Sequence, residues 1–252
     1  MKVAIVTVAG ISSRFNEGIP EPERKLKAIF SEDGDEQTLL YHLLCKCSFA
    51  DKIVVVGGYK HDALQDYCNR LKTELRDKIT VVVNTHYEDL ASGYSLYLGL
   101  REAFRQGASE VLFVEGDLDI DEASFKEVAE SESSVLTYNY EPIYANKAVV
   151  LFQNDVGEYR YAFNSSHGLL TIDGPFACIL NSGQMWKFTD IRALHEANEE
   201  FYTENKGATN LSIIQKYLQR VSEVKLVGLK RWTNCNTRGD YRKIKKDWET
   251  ER

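Results

Sequence analysis

Two kinds of segment alternate through the first half of the chain, and that alternation restricts the fold more than any other feature. Residues 3–8, 52–56, 79–83 and 111–114 are short runs rich in valine and isoleucine, the pattern of strands covered on both faces in a parallel sheet. Between them, residues 39–47, 62–75 and 92–104 repeat apolar side chains at intervals of three and four, as helices with one buried face do. The order predicts βαβ winding with right-handed crossovers, hence an open sheet whose functional loops gather at the carboxyl ends of its strands. Gly10, Gly58, Asn84 and Gly116 fall at such ends, so one rim carries one cleft. From Ser133 the texture changes. Residues 135–140, 147–152, 159–163 and 176–180 read as strands with turns between them and no long helix, an antiparallel or mixed extension of the sheet. Helices at 190–201 and 211–219, a strand at 224–227 and a charged C-terminal tail follow. The acidic stretch 31–36 reads as a solvated hairpin tip or insertion.

Composition narrows the partners. The formal net charge is −7, so the surface field repels nucleic-acid backbones and anionic lipid, and no nucleic acid is expected. No apolar run approaches the roughly 20 residues of a membrane helix, and the apolar start MKVAIVTVAG reads as a buried strand because charged residues soon follow it and no small-residue cleavage site does. Five cysteines occur without a CxxC pair or zinc-ligand spacing, which points to reduced thiols and a cytoplasmic location. Oligomeric state is not legible.

The stretch VAGISSRF carries the first chemical signal. A strand running into a glycine–serine turn and then a helix exposes several N–H groups at a positive dipole end, a ready anion site. It lacks the GKS or GKT of a Walker loop and the three glycines of a dinucleotide fingerprint. Close behind it Arg14, Arg24, Lys25 and Lys27 collect in an otherwise acidic chain, and cations beside an N–H nest suit a polyphosphate. The second signal is VLFVEGDLDID, a buried strand ending in Glu115, Gly116, Asp117 and Asp119. Carboxylates across a cleft from a cationic loop suit Mg²⁺, which takes one or two protein carboxylates and completes its shell with water and substrate phosphate. Asp121, before a helical stretch, suits a helix cap instead.

VAGISSRF followed by KLKAIF resembles the glycine-rich signature of nucleotidyltransferases of the sugar-phosphate and MobA-like superfamily. VVVGGYKHDAL, VVNTHYEDLASGYSLYLGL, VEGDLDID, LNSGQMWKF and RWTNCNTRGDY resemble, in order, the phosphocholine and phosphonate cytidylyltransferase branch. The resemblance spans nearly the whole chain. It implies a single Rossmann-like α/β domain of GT-A type over residues 1–252, a mixed sheet flanked by helices with a mixed β extension, in which 1–120 bind the nucleotide and 121–252 the acceptor. The implied reaction is magnesium-dependent transfer of CMP from CTP to a small phosphate or phosphonate, with release of pyrophosphate. A sugar-1-phosphate or MobA-like transferase using another NTP, and a non-catalytic nucleotide-binding relative, are the alternatives.

The resemblance also assigns roles. The backbone from Val8 through Ala9, Gly10, Ser12 and Ser13 cradles the triphosphate, with Ser12 where the family turn has a second glycine. Arg14 contacts its oxygens together with the family lysine, which is Lys27 or, one register away, Lys25. Asp117 holds Mg²⁺, and Gly116 beside it belongs to the nucleotide-binding set. Asn236 stands where the family often carries a second metal-binding aspartate. Ser92 and Ser95 lie near the base, with Gly58 and Tyr59 close by, and Ser92 also suits the cap of its helix. An acceptor phosphate is already ionised near neutral pH, its second pKa being about 6, and needs no general base. The chain accordingly shows no Ser/His/Asp or Cys/His arrangement, and His42, His61, His86 and His195 read as helix-surface or turn residues. For the acceptor, Asp119, Tyr138, His167 and Trp186 are the candidates; Tyr140, Tyr144 and Trp232 share that half, although aromatics at strand spacing are more often core or cross-strand packing.

Overall fold

A computed structural model describes residues 1–145, 149–162 and 170–250. Its strands are β1 Lys2–Thr7, β2 Lys52–Gly57, β3 Ile79–Val83, β4 Glu110–Glu115, β5 Leu118–Ile120, β6 Val135–Asn139, β7 Val150–Asn154, β8 Tyr159–Tyr161, β9 Phe176–Phe188, β10 Lys225–Leu229 and β11 Trp232–Asn234. Its helices are α1 Leu39–Lys46, α2 His61–Arg70, α3 Thr73–Arg76, α4 Ser92–Arg105, α5 Glu122–Glu130, α6 Ile191–Asn205, α7 Asn210–Leu218 and α8 Arg238–Thr250.

Among the described residues the main sheet has nine strands, seven of them in the order β10-β6-β9-β4-β1-β2-β3, with β7 paired to β9 and β8 to β7. Strands β3, β2, β1 and β4 are parallel; β9 runs antiparallel to β4 and β6, and β10 parallel to β6. The fold is therefore α/β with a mixed sheet flanked by helices and a mixed extension in the second half, as the sequence predicts. Alternation within the strands explains the unbroken apolar runs: Ala4, Val6, Ile53, Val55, Leu112 and Val114 face the core under α1, α2 and α5. Their neighbours Val3, Ile5, Val54, Val56, Val111 and Phe113 face the core under α4, α6 and α7. Both faces of β1, β2 and β4 are dry, so period-two polarity is missing from them, whereas β3 at the edge is only partly buried.

Three expectations are corrected. The helix expected over 62–75 is two, because Leu71 and Lys72 adopt extended backbone between α2 and α3. The strand expected to end at residue 180 continues to Phe188 and reaches the sheet centre. Its polar NSGQ stretch is an irregularity within the strand, with Gln184 at φ 55° and a register shift against β6. The charged C-terminal tail is helix α8, whose Tyr241, Ile244 and Trp248 at helical spacing join Phe15, Leu39 and Cys235 in a third apolar cluster. The acidic stretch 31–36 is solvated as expected, with residues 32–36 all exposed. It lies against α8, with Glu32 paired to Arg242 at 3.2 Å and Asp33 to Lys245.

The chain winds from β1 to β2 and β3 on one side and returns with β4 on the other. That reversal opens a crevice at the strand ends. Register places Thr7 beside Glu115, and the Gly116 N–H donates to the Thr7 carbonyl at 3.0 Å. A Cβ on Gly116 would lie 2.3 Å from Val8 Cγ1 and 2.7 Å from the Thr7 oxygen, so only glycine lets the two loops leave the sheet side by side. Among the described residues, no helix is long and apolar enough to cross a membrane.

Candidate active site

A cavity of about 240 Å³ opens at this crevice. Val8, Ala9, Gly10 and Ser12 line one side, Gly116 and Asp117 the next, Lys27 the mouth, and Ser92 and Ser95 the far wall. Nine of the residues given a site role from the sequence thus meet in one place.

The glycine turn owes its shape to groups outside the cavity. Asn16, 1% exposed, donates to the Ser12 carbonyl at 3.0 Å and the Lys25 carbonyl at 2.8 Å, and accepts the Lys25 N–H at 3.0 Å. Its side chain staples the turn to the basic segment. Ser12 sits at φ 59°, a left-handed conformation that costs a non-glycine residue about 1–2 kcal/mol; this is the position where the resembling family has its second glycine. Its hydroxyl accepts the Lys27 N–H at 3.3 Å. Gly10 needs no special conformation, and a Cβ there would meet nothing within 4 Å. The space beside its backbone is free for a ligand atom. Gly58 works from behind: a Cβ on it would lie 2.9 Å from the Ala9 oxygen, and the Tyr59 N–H donates to that oxygen at 3.1 Å. The Tyr59 side chain is buried and bonds Glu21 at 3.1 Å, so this pair shapes the turn without lining the cavity.

Lys27 Nζ lies 2.9 Å from Asp117 Oδ2, with side-chain exposures of 16% and 25%. Asp117 Oδ1 is buried with no hydrogen-bond partner among the described residues. An acceptor oxygen in that condition is costly unless it binds a cation or a donor. Beside it, Glu115 Oε1 accepts from Asn210 Nδ2 and Oε2 from Gln184 Nε2, both at 2.7 Å. Burial first, and then the Asp117 charge, raise the Glu115 carboxyl above the usual carboxylate range, while the Asn210 amide, Lys27 and the Gln184 amide pull it back. Among the described residues no cluster of three or more His, Cys, Asp or Glu is arranged to hold a metal.

On the far wall Ser95 Oγ accepts from Asn84 Nδ2 at 2.9 Å, and Asn84 Oδ1 takes the His86 N–H at 2.8 Å. Ser92 does not cap α4; Ala91 holds that position, and the Ser92 hydroxyl bonds Asn210 instead. Asp121 caps α5 through the Ser124 N–H, as expected.

The remaining candidates lie elsewhere. Ser13, Arg14 and Lys25 are exposed and outside the cavity lining. Asn236 follows Cys235, whose N–H donates to the Asp117 carbonyl at 2.8 Å; its own N–H is held by Asp240 at 3.0 Å, and it does not line the cavity. Asp119 is not an acceptor contact. It is 1% exposed and bonded to Lys46, Arg231 and Trp248, because residues of β5 alternate faces and this one points under α1 and α8. Trp186 is not one either: it is fully buried, stacked on Phe113 at 5.1 Å and donating to the Tyr161 hydroxyl at 2.7 Å. Tyr138 packs edge-on against Tyr140, centroids 5.4 Å apart, away from the cavity. His167 lies outside the described residues. His42 stacks on Trp248 at 3.6 Å and is remote from the cleft. Sequence reasoning placed Glu115 and Asn84 at the cleft rim without giving either a site role, and missed Asn16, Gln184 and Asn210 altogether. Only Glu115 and Asn84, at predicted strand ends, carried a signal.

No curated protein matches the chain in sequence. Solved structures do match it in fold. The CTP:phosphocholine cytidylyltransferase of Streptococcus pneumoniae superposes with a TM-score of 0.67 at 15% identity, covering 98% of this chain and 99% of that one. The inositol-1-phosphate CTP transferase of T. maritima gives 0.68 at 17%, over 98% and 96%. A UDP-glucose pyrophosphorylase complexed with UDP-glucose gives 0.71 at 13%, over 100% of both chains. Architecture is thus shared with nucleotidyltransferases along the full length, at identities that speak for fold alone. By sequence, matched over residues 23–248, the chain belongs to the family described as Domain of unknown function (DUF6564).

Proposed function

We propose that the protein is a magnesium-dependent nucleotidyltransferase that transfers CMP from CTP to a small phosphate or phosphonate acceptor and releases pyrophosphate. The observation that carries this reading is the facing of the open Gly10 turn by the Lys27–Asp117 pair, with Asp117 Oδ1 buried and without a hydrogen-bond partner among the described residues. The N–H groups at the exit of β1 suit the β- and γ-phosphates, and Lys27 suits the charge that gathers on the bridging oxygen as the bond from the α-phosphorus to pyrophosphate breaks. The acceptor oxygen forms the new bond to that phosphorus from the opposite side. No proton has to move, since the acceptor is already an anion. Asp117, with Glu115 close by, would hold Mg²⁺. Bound there, the ion supplies charge neutralisation on the transferring phosphate. Catalysis then rests on positioning and electrostatics.

The CTP preference leans on the branch-specific stretches ASGYSLYLGL and VEGDLD, and on a far wall built of hydroxyl and amide groups. Pyrophosphate release with each of the four ribonucleoside triphosphates and with dTTP, across a panel of phosphocholine, phosphonates and sugar 1-phosphates, tests it. CTP with a small phosphate or phosphonate is the expected pair. A clear preference for UTP, GTP or dTTP with a sugar 1-phosphate replaces the cytidylyl reading with the alternative that the pyrophosphorylase likeness supports. Binding of nucleotide without any pyrophosphate release makes the chain a non-catalytic relative.

A further inference from the structure

The cleft is not chemically uniform. Lys27, Glu115 and Asp117 crowd the ends of β1 and β4, whereas Asn84, Ser92 and Ser95, with Tyr87 and Leu90, line the remainder without a charge. With the cation proposed above on Asp117, a ligand filling both parts has an anionic end beside Lys27 and a neutral end with apolar faces and a hydrogen-bonding edge. That describes a nucleotide with its base on the Ser92 side.

Hydrogen bonding behind Ser92 restricts what this side offers. The two Glu115 oxygens each accept from an amide nitrogen, one of them Asn210 Nδ2 at 2.7 Å. With its nitrogen turned to Glu115, the Asn210 amide presents Oδ1 to Ser92. The Ser92 hydroxyl donates to that oxygen at 3.2 Å and accepts the Asn210 backbone N–H, also at 3.2 Å. A hydroxyl has one proton and two lone pairs. Here the proton and one pair are committed, and a single lone pair is left for the cleft. The junction that holds this chain is tight: the Gly93 N–H donates to the Ala208 carbonyl at 3.2 Å, and a Cβ on Gly93 would lie 2.4 Å from that oxygen. The entries to α4 and α7 therefore meet at backbone contact.

We propose that Asn210, by orienting the Ser92 hydroxyl, makes it an acceptor-only group in the cleft, and that this selects a base bearing an exocyclic amine over its keto counterpart. The inference rests on the nucleotidyltransferase reading and names what sets its base preference. Asn210 is a positioning residue; Ser92 is the contact. An amine meets the free lone pair with a proton, whereas a keto oxygen meets it with another lone pair, and mismatches of this kind discriminate by about tenfold or more.

The test measures CMP and UMP binding by calorimetry, and separately pyrophosphate release from CTP and UTP, for the wild type, Asn210→Ala and Ser92→Ala. The wild type is expected to favour CMP over UMP by about tenfold or more. Asn210→Ala frees the hydroxyl to turn and brings the ratio to within about threefold, chiefly by improving UMP, and Ser92→Ala collapses it by removing the acceptor. Should Asn210→Ala fail to fold, Ser92→Ala, which removes one exposed hydroxyl, decides alone. Equal binding of CMP and UMP by the wild type, or a ratio unmoved by Ser92→Ala, overturns the inference. So does an Asn210→Ala variant that weakens both nucleotides alike, the signature of a purely structural residue. A CMP preference without pyrophosphate release from any triphosphate sinks the transfer reading and leaves the acceptor assignment standing. Pyrophosphate release without an amine–keto preference does the reverse.

Discussion

Asp119→Asn separates a structural carboxylate from a substrate contact. The native side chain is 1% exposed and faces Lys46, itself 8% exposed, at 3.5 Å, together with Arg231 and the Trp248 indole N–H at 2.9 Å. Asparagine keeps the shape and an oxygen for Trp248 but removes the charge. Lys46 would then hold a buried ammonium that faces only neutral oxygens, the new amide and the Ile120 carbonyl. Breaking a buried ion pair from one side costs about 3–5 kcal/mol. The retained indole bond and the 23% exposure of Arg231, which lets that guanidinium reach water, favour the lower end, about 3 kcal/mol. In a chain of this size each kcal/mol lowers the melting temperature by about 2–4 °C, so a drop of about 6–12 °C is expected, read by thermal and urea unfolding. The double variant Lys46→Met, Asp119→Leu is expected to recover much of the loss, because well-packed apolar replacements of buried pairs are often neutral. A loss below about 1 kcal/mol, the ordinary worth of an exposed pair, refutes this argument. A raised KM for the acceptor at unchanged stability would return Asp119 to the acceptor-binding role that its sequence position suggests.

Other outcomes follow from the cleft. Lys27→Ala is expected to lower turnover by about 10²–10³-fold, the usual worth of one donor to a developing charge, with the unfolding midpoint nearly unmoved because the pair is partly exposed; Lys25→Ala, whose side chain is exposed outside the cavity, should leave turnover almost intact, and the opposite order would shift the family lysine by one register. Asp117→Asn should abolish pyrophosphate release at ordinary magnesium, and full activity in that variant would move the metal site elsewhere. Gly116→Ala should destabilise the fold by about 1–3 kcal/mol through overpacking against Val8 and Thr7. Gly10→Ala, by contrast, should leave the melting temperature unchanged and weaken triphosphate binding in calorimetry, since its Cβ would take up space the protein leaves open; unaltered affinity would place the phosphates elsewhere.

The parallel half of the fold was legible because each of its strands is apolar on both faces and each loop at the rim carries glycine or asparagine. The site was legible where chemistry is local in sequence: the Gly10 turn, Lys27, and Asp117 two residues past a strand. What escaped was set by distant partners. Trp186 resembles a ligand-facing aromatic until β9 is followed into the sheet centre, where Phe113 covers it. Helix α8 hid behind its charge, although Tyr241, Ile244 and Trp248 keep helical spacing. Asn210 had no signal at all. Its partners are Glu115, 95 positions away, and Ser92, 118 positions away, and only the finished fold brings the three together.

Phe15, just beyond the glycine turn, packs with Phe30 and Leu39 and also against side chains of α8. The same helix is tied to the segment after Lys27 by Arg242 and Glu32, 210 positions apart. Contacts of such span form late, because the loop they close is long and its entropy is lost before any contact repays it. A folding chain can therefore complete the parallel strands β1 to β4 while the segment that carries Ser12 and Lys27 still lacks the contacts that α8 supplies. The proposed triphosphate site would then be completed in the closing steps of folding, and it would loosen first when α8 detaches, ahead of any change in the sheet itself.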